Sequence, residues 1–157
     1  MDPAVRKYFP NLLTREESKA HITTIEKNIA RQGYGLFAAE WKETEAFIGF
    51  IGFSHPDFQI TAPPHIITPR IEIGWRISSH YWGRRLATEG AQACLEAGFR
   101  RWNMDEVYSF TSIHNQPSIN VMIRIGMVRQ GTFAHPNLPA GHWLSEHVLY
   151  KAARPHS

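Results

Sequence analysis

The amino-acid sequence predicts a mixed α/β domain built on a mostly antiparallel central sheet flanked by helices. Three observations carry that expectation. Ile71-Glu72-Ile73-Gly74-Trp75-Arg76-Ile77 is apolar at every odd position, the period of a half-buried strand. Two longer stretches, residues 14–32 and about 83–102, place apolar residues three and four apart, as amphipathic helices do. The chain then closes on two strand-like runs, 127–133 and 146–151, separated by a Pro-rich loop and expected to pair antiparallel.

In order along the chain, residues 14–32 form the first helix. Thr14 caps it, Glu17 stands three residues later as in a capping box, and Ala20, Ile22, Ile25 and Ile29 make its apolar stripe. Gly33 and Gly35 stop it. Residues 36–40 and 46–53 are strands joined by the polar turn Lys42-Glu43-Thr44-Glu45. Gly49 and Gly52 inside the second strand mark a bulge or a closely approaching neighbour. Residues 55–69 carry four prolines and no clean period, and read as a loop. The alternating strand follows, with Glu72, Gly74 and Arg76 on the face opposite its apolar residues. A turn at 78–81 leads into the long helix, whose buried stripe is Ala87, Ala91, Cys94, Leu95, Gly98 and Trp102. A strand at 106–111 precedes a short helix at about 116–125, with Pro117 in its first turn and Gly126 past its end. No repeat or linker divides the chain, so a single domain over residues 1–157 is expected.

Composition narrows the function. The 43% hydrophobic and 20% charged residues exclude a disordered chain. No apolar run approaches the roughly 20 residues of a membrane span, and no signal-peptide core opens the sequence. One cysteine, Cys94, excludes an internal disulfide and a multi-cysteine zinc site. A cytoplasmic protein with no membrane partner is the expectation. The formal charge of +3 is small and scattered, so an anionic small ligand fits better than nucleic acid. His135, His142 and His147 are spaced by seven and five, which matches no standard zinc pattern, and no metal is expected. One of these histidines could line a substrate pocket. Trp75, Trp82, Trp102, Trp143 and Tyr150 are read mostly as core.

The chemistry lies around the start of the long helix. Arg84 and Arg85 are placed in its first turn, where cations oppose the positive end of the helix dipole unless an anion is bound. Gly83 permits close backbone approach. Taken alone, two solvated surface arginines at a helix start would be the commoner case.

The neighbouring residues tilt the balance. Tyr81-Trp82-Gly83-Arg84-Arg85-Leu86-Ala87-Thr88-Glu89 resembles the acetyl-CoA signature of the GNAT superfamily of N-acetyltransferases. The likeness is strongest to the Rim-type branch, which acetylates ribosomal-protein N-termini. Glu72-Ile73-Gly74-Trp75 resembles that branch's glutamate-isoleucine-glycine-tyrosine strand, and Asn115-Gln116-Pro117-Ser118 with Ile125-Gly126-Met127 resembles its second signature. The resemblance implies a GNAT-like sheet and direct attack of a primary amine on acetyl-CoA in a ternary complex. It implies a cofactor site of Trp75, Arg76 and Ile77 on the strand, of Trp82, Gly83, Arg84, Arg85, Leu86, Ala87 and Thr88 at the helix start, and of Asn115 and Ser118. The strand ending at Ile77 would splay from the one at 107–111, exposing backbone groups to pantetheine. Glu72 would be the general base, through a water, and Ser118 the acid for the leaving thiolate. Read from the residues alone, Glu72 as a structural partner of Arg76 and Ser118 as a helix cap remain open alternatives.

The chain departs from the pattern twice. Arg85 stands where the family has a glycine, which strains the backbone if that position needs a positive φ and is harmless if it is helical. The chain also begins at Met1-Asp2-Pro3-Ala4-Val5, past the family's usual first strand, and an open sheet edge would invite a second copy to form a homodimer. These departures keep open a non-catalytic CoA-binding or protein-binding module. The acceptor, a protein N-terminus or a small-molecule amine, is not fixed by the sequence, although scarce acid in the loops 57–69 and 134–144 disfavours polyamines.

Overall fold

The computed structural model describes residues 3–5, 7, 8, 13–62 and 65–156. The expectation for the chain's start at Met1 and Asp2 lies outside them. Helix α1 (Arg15–Gln32) opens on the expected capping box: Glu17 N–H donates to Thr14 Oγ1 and Thr14 N–H to Glu17 Oε2. Its stripe is less buried than its period implies, for Ile25 alone is fully covered and Ile22 is 43% exposed. Strands β1 (Leu36–Trp41), β2 (Ala46–Ser54), β5 (Glu72–Ile77), β6 (Glu106–Ser112), β7 (Val128–Ala134) and β8 (Glu146–Ala153) form one sheet in the order β1-β2-β5-β6-β8-β7. Every pairing is antiparallel except β5 with β6. Helices α2 (Leu86–Arg100) and α3 (Gln116–Arg124) complete the mixed α/β architecture.

The larger core lies on the sheet face covered by α2. Ile73 and Ile77 of β5, Ile51 and Phe53 of β2, and Val107 of β6 meet Ala91 and Leu95 there. Gly49 carries both features expected of it. The β1–β2 register slips beside it, so β2 bulges, and a Cβ on Gly49 would run into the Arg76 carbonyl of β5. Gly52 likewise lets the Gly35 carbonyl come close.

Three expectations need correction. The stretch 55–69 is not a plain loop: β3 (Ile60–Ala62) and β4 (His65–Ile67) form a small hairpin. Three-residue strands leave almost no period to read, and this one is held by burial of Ile60 against Tyr108, Phe133 and Leu149. The long helix starts at Leu86, not near residue 83. Gly83 (φ 77°) and Arg85 (φ 56°, ψ 26°) are left-handed, so Arg84 and Arg85 lie ahead of the first turn, Arg85 as its N-cap. Finally, Trp82 and Trp143 are more than half exposed rather than core. Among the described residues no helix is long and apolar enough to cross a membrane.

Candidate active site

The parallel pair β5–β6 is joined at one register point, Glu72 opposite Tyr108. Tyr108 N–H donates to Ile71 O, and Ser109 Oγ donates to Ile73 O. Backbone groups of alternate strand residues point to the same edge. Trp75 therefore turns its N–H and C=O toward the side from which β6 has departed. The two strands diverge as the sequence-level reading expects, and the gap opens into a cleft of about 1770 Å³.

One wall of the cleft is the loop entering α2. Trp82 Nε1–H donates to Ile77 O at 2.8 Å and pins the loop to the end of β5. The left-handed residues Gly83 and Arg85 flank Arg84, a backbone alternation that turns successive N–H groups inward. Nothing lies within 4 Å of where a Cβ on Gly83 would sit, so there is open space beside it. No side chain caps α2, and the first helical amide to find a carbonyl is Glu89 N–H on Arg85 O. The N–H groups of Leu86, Ala87 and Thr88 have no protein acceptor among the described residues, which makes an anion site. Thr88 Oγ1 is buried and also lacks a partner there. An uncapped helix start, an orphaned hydroxyl and a charged Arg85 fit a pyrophosphate-bearing cofactor. The two arginines divide: Arg85 lines the cleft, while Arg84 lies over the Trp41 and Tyr81 rings at 5.3 and 5.7 Å. The left-handed Arg85 carries the strain foreseen for a residue in a glycine's place, on the order of 1–2 kcal/mol.

The opposite wall is the start of α3. Asn115 is buried, its Oδ1 accepting Ser118 N–H and its Nδ2 donating to Thr111 Oγ1 at 2.9 Å. The cap is thus made by Asn115, and Ser118 Oγ has no hydrogen bond among the described residues. Both line the cleft with Thr111.

Glu72 sits at the point of divergence. Ser54 Oγ donates to its Oε2 at 3.2 Å. Burial pushes its carboxyl from 4.5 up to about 7, against the lowering effects of that hydrogen bond and of the Arg76 charge. Arg76 shares its strand face, so both sequence-level readings of Glu72 have a geometric footing.

The cleft also contains residues that periodicity did not single out. Ser54 ends a strand of otherwise apolar character, and Phe58 lies in the stretch read as loop. Phe110 of β6, His135 and His147 gather beside Phe58, with ring centroids 4.8 Å apart for Phe58–His135 and 4.9 Å for His135–His147. The sequence showed the histidines but not their aromatic company. His142 instead caps the turn at Leu144 N–H. Cys94 is half-buried on α2, where burial raises its thiol and leaves it inert.

Comparison with known proteins identifies the family and the fold. An uncharacterized N-acetyltransferase, YnaD of Bacillus subtilis (strain 168), is 30% identical over 147 residues, 93% of this chain and 79% of the relative. A GNAT-family acetyltransferase structure from Bacillus anthracis superposes with a TM-score of 0.73 at 27% identity, covering 98% of this chain and 83% of that one. The ribosomal-protein-S5-alanine acetyltransferase of Vibrio fischeri shares the fold at a TM-score of 0.75 and 18% identity, over 96% and 80% of the two chains. The sequence model of the acetyltransferase (GNAT) domain matches residues 1–128, and the chain belongs to that family of N-acetyltransferases.

Proposed function

We propose that the chain transfers the acetyl group of acetyl-CoA to a primary amine by direct attack, both substrates being held in one cleft. The observation that carries this reading is the opening between β5 and β6 with an uncapped helix start on one side and a half-buried carboxylate at its apex. Acetyl-CoA supplies the thioester. The amides of Leu86 to Thr88 and the Arg85 guanidinium hold its pyrophosphate, and the free backbone edge at Trp75 takes the pantetheine arm, beside the Ile77 carbonyl that Trp82 occupies. Asn115 fixes the start of α3 so that Ser118 Oγ can give its proton to the departing thiolate.

Glu72 removes the proton from the acceptor ammonium, directly or through a water. A carboxyl that titrates near 7 is half ionised at neutral pH and is a stronger base than an ordinary glutamate. Arg76 on the same face favours its ionised form, so the pairing first read as a structural alternative belongs to the same device. Retention of Asn115, Ser118 and Glu72 around one cleft supports turnover over a binding-only module. The Rim-type motifs support an N-terminal α-amine as one acceptor class, in a single cytoplasmic domain.

The test is thiol release from acetyl-CoA by the purified chain with a panel of primary amines and short peptides. Amine-dependent release is expected, with a rate that rises as pH passes through about 7. Tight acetyl-CoA binding with no release for any amine would turn the reading to the binding module.

A further inference from the structure

The acceptor end of the cleft is built from rings. Register places it relative to Glu72. Residues opposite each other on neighbouring strands share a sheet face, so Glu72 and Tyr108 point to the same side, and Phe110 follows Tyr108 on it. Tyr108, Phe110, Phe58 and Phe133 form the second apolar cluster on that side, beneath the β3–β4 hairpin. His147 lies opposite Phe133 in the β7–β8 ladder. Strand geometry puts Phe110 roughly 7 Å along β6 from the residue facing Glu72.

These rings are not a sealed core. Phe133 is the buried floor, but Phe58, Phe110, His135 and His147 line the cleft. Their contacts are edge-to-face or tilted, with Phe58–Phe110 at 5.6 Å and 67° and Phe110–Phe133 at 5.7 Å and 80°. A further ring inserted among them finds both faces and edges to meet. The imidazoles are uncharged at neutral pH. Asn137 N–H donates to His135 Nδ1, which therefore carries no proton, and burial lowers the affinity of that ring for a second one. Burial and then the neighbouring His135 hold His147 down at about 4, with its Nδ1–H donated to Ser145 O.

Charge points the same way. Among the described residues lining the cleft, Glu72 is the single acid, against Lys7, Arg15, Arg76, Arg85 and Arg124. One carboxylate matches one ammonium. A second cationic centre on the acceptor would meet basic side chains or neutral rings.

We propose that Phe58, Phe110, Phe133, His135 and His147 form the acceptor subsite, and that it takes a primary amine carrying a single positive charge and an uncharged aromatic ring a few bonds away. This rests on the acetyltransferase reading of the cleft for the amine's fate, but the subsite itself is defined by binding.

The experiment is therefore equilibrium binding of 2-phenylethylamine to the full chain saturated with CoA, where no transfer takes place. It runs beside 2-cyclohexylethylamine, which has the same length and charge without a π-system, and spermidine. The aromatic amine is expected to bind about tenfold more tightly than either comparison. Phe58→Ala is expected to erase that preference. Ile66→Ser, at the exposed middle residue of β4, is expected to keep it. Equal affinity for the three amines, tighter spermidine, or a preference untouched by Phe58→Ala would each overturn the subsite. Failure here alongside thiol release with other amines removes the subsite alone. Ring-selective binding without thiol release from any amine keeps the subsite and removes the transferase reading.

Discussion

Glu72→Gln is expected to lower kcat about a hundredfold while leaving acetyl-CoA affinity within about twofold, the usual scale for losing one general base. The same substitution is expected to stabilise the fold above neutral pH. Burial holds the Glu72 carboxyl at about 7 in the folded chain, whereas the unfolded chain titrates near 4.5. Between these values the folded state binds the extra proton. The contribution of Glu72 to stability is therefore fully present below about 4.5 and is lost as pH rises through about 7. Glutamine does not titrate, so the variant should exceed the parent by about 2–3 kcal/mol at pH 8, with the gap closing toward pH 4.5. Ser54 Oγ can donate to the amide oxygen as it does to the carboxylate. Rate and thermal unfolding measured on one preparation from pH 5 to 9 check both halves. A variant with parental kcat removes Glu72 from the chemistry, and one with parental stability at pH 8 removes the desolvation that tunes it.

Gly49→Ala is expected to destabilise the chain by about 3 kcal/mol or more, a large share of what a domain of this size has. Its backbone stands at φ 150°, and a Cβ there meets the Arg76 carbonyl, which cannot swing aside without breaking the β2–β5 ladder. The damage falls on the end of β5 that leads to the loop entering α2, since Ser78 N–H is held by Ile48 O one residue before Gly49. Gly126→Ala is the comparison. That glycine is also left-handed, at φ 83°, but open space surrounds it, so only the backbone term of about 1 kcal/mol is expected. At roughly 2–4 °C per kcal/mol, circular dichroism melting should separate the two variants clearly. Equal melting points would mean that β5 yields to the added methyl.

The order of elements was legible because most of them bury one face and therefore carry a period. The alternation from Ile71 to Ile77, the stripe through Ala91, Leu95 and Gly98, and the capping box at Thr14 and Glu17 are each local. What escaped is set by tertiary contact. The β3–β4 hairpin is too short for a period and exists because Ile60 is buried under it. Helix α2 starts late because the backbone reverses hand at Gly83 and Arg85, and an arginine in that conformation gives no sign of it in the sequence. At the site, the signature residues were readable as a string. Their division was not: Arg85 faces the cleft, whereas Arg84 is drawn onto Trp41, forty-odd residues away in the chain. The ring cluster proposed as the acceptor subsite was invisible for the same reason, since it draws on β6, β7, β8 and two connecting segments.

The gap between β5 and β6, closed by the uncapped start of α2, is proposed as an acetyl-CoA site. Calorimetric titration of acetyl-CoA into the parent chain, Arg85→Ala and Arg84→Ala tests it most directly. Dissociation at about micromolar concentration is expected for the parent, weakened about tenfold by Arg85→Ala through loss of a charged contact to phosphate, and changed less than about threefold by Arg84→Ala. No heat of binding at about millimolar acetyl-CoA, or equal losses from the two arginines, would contradict the site as described.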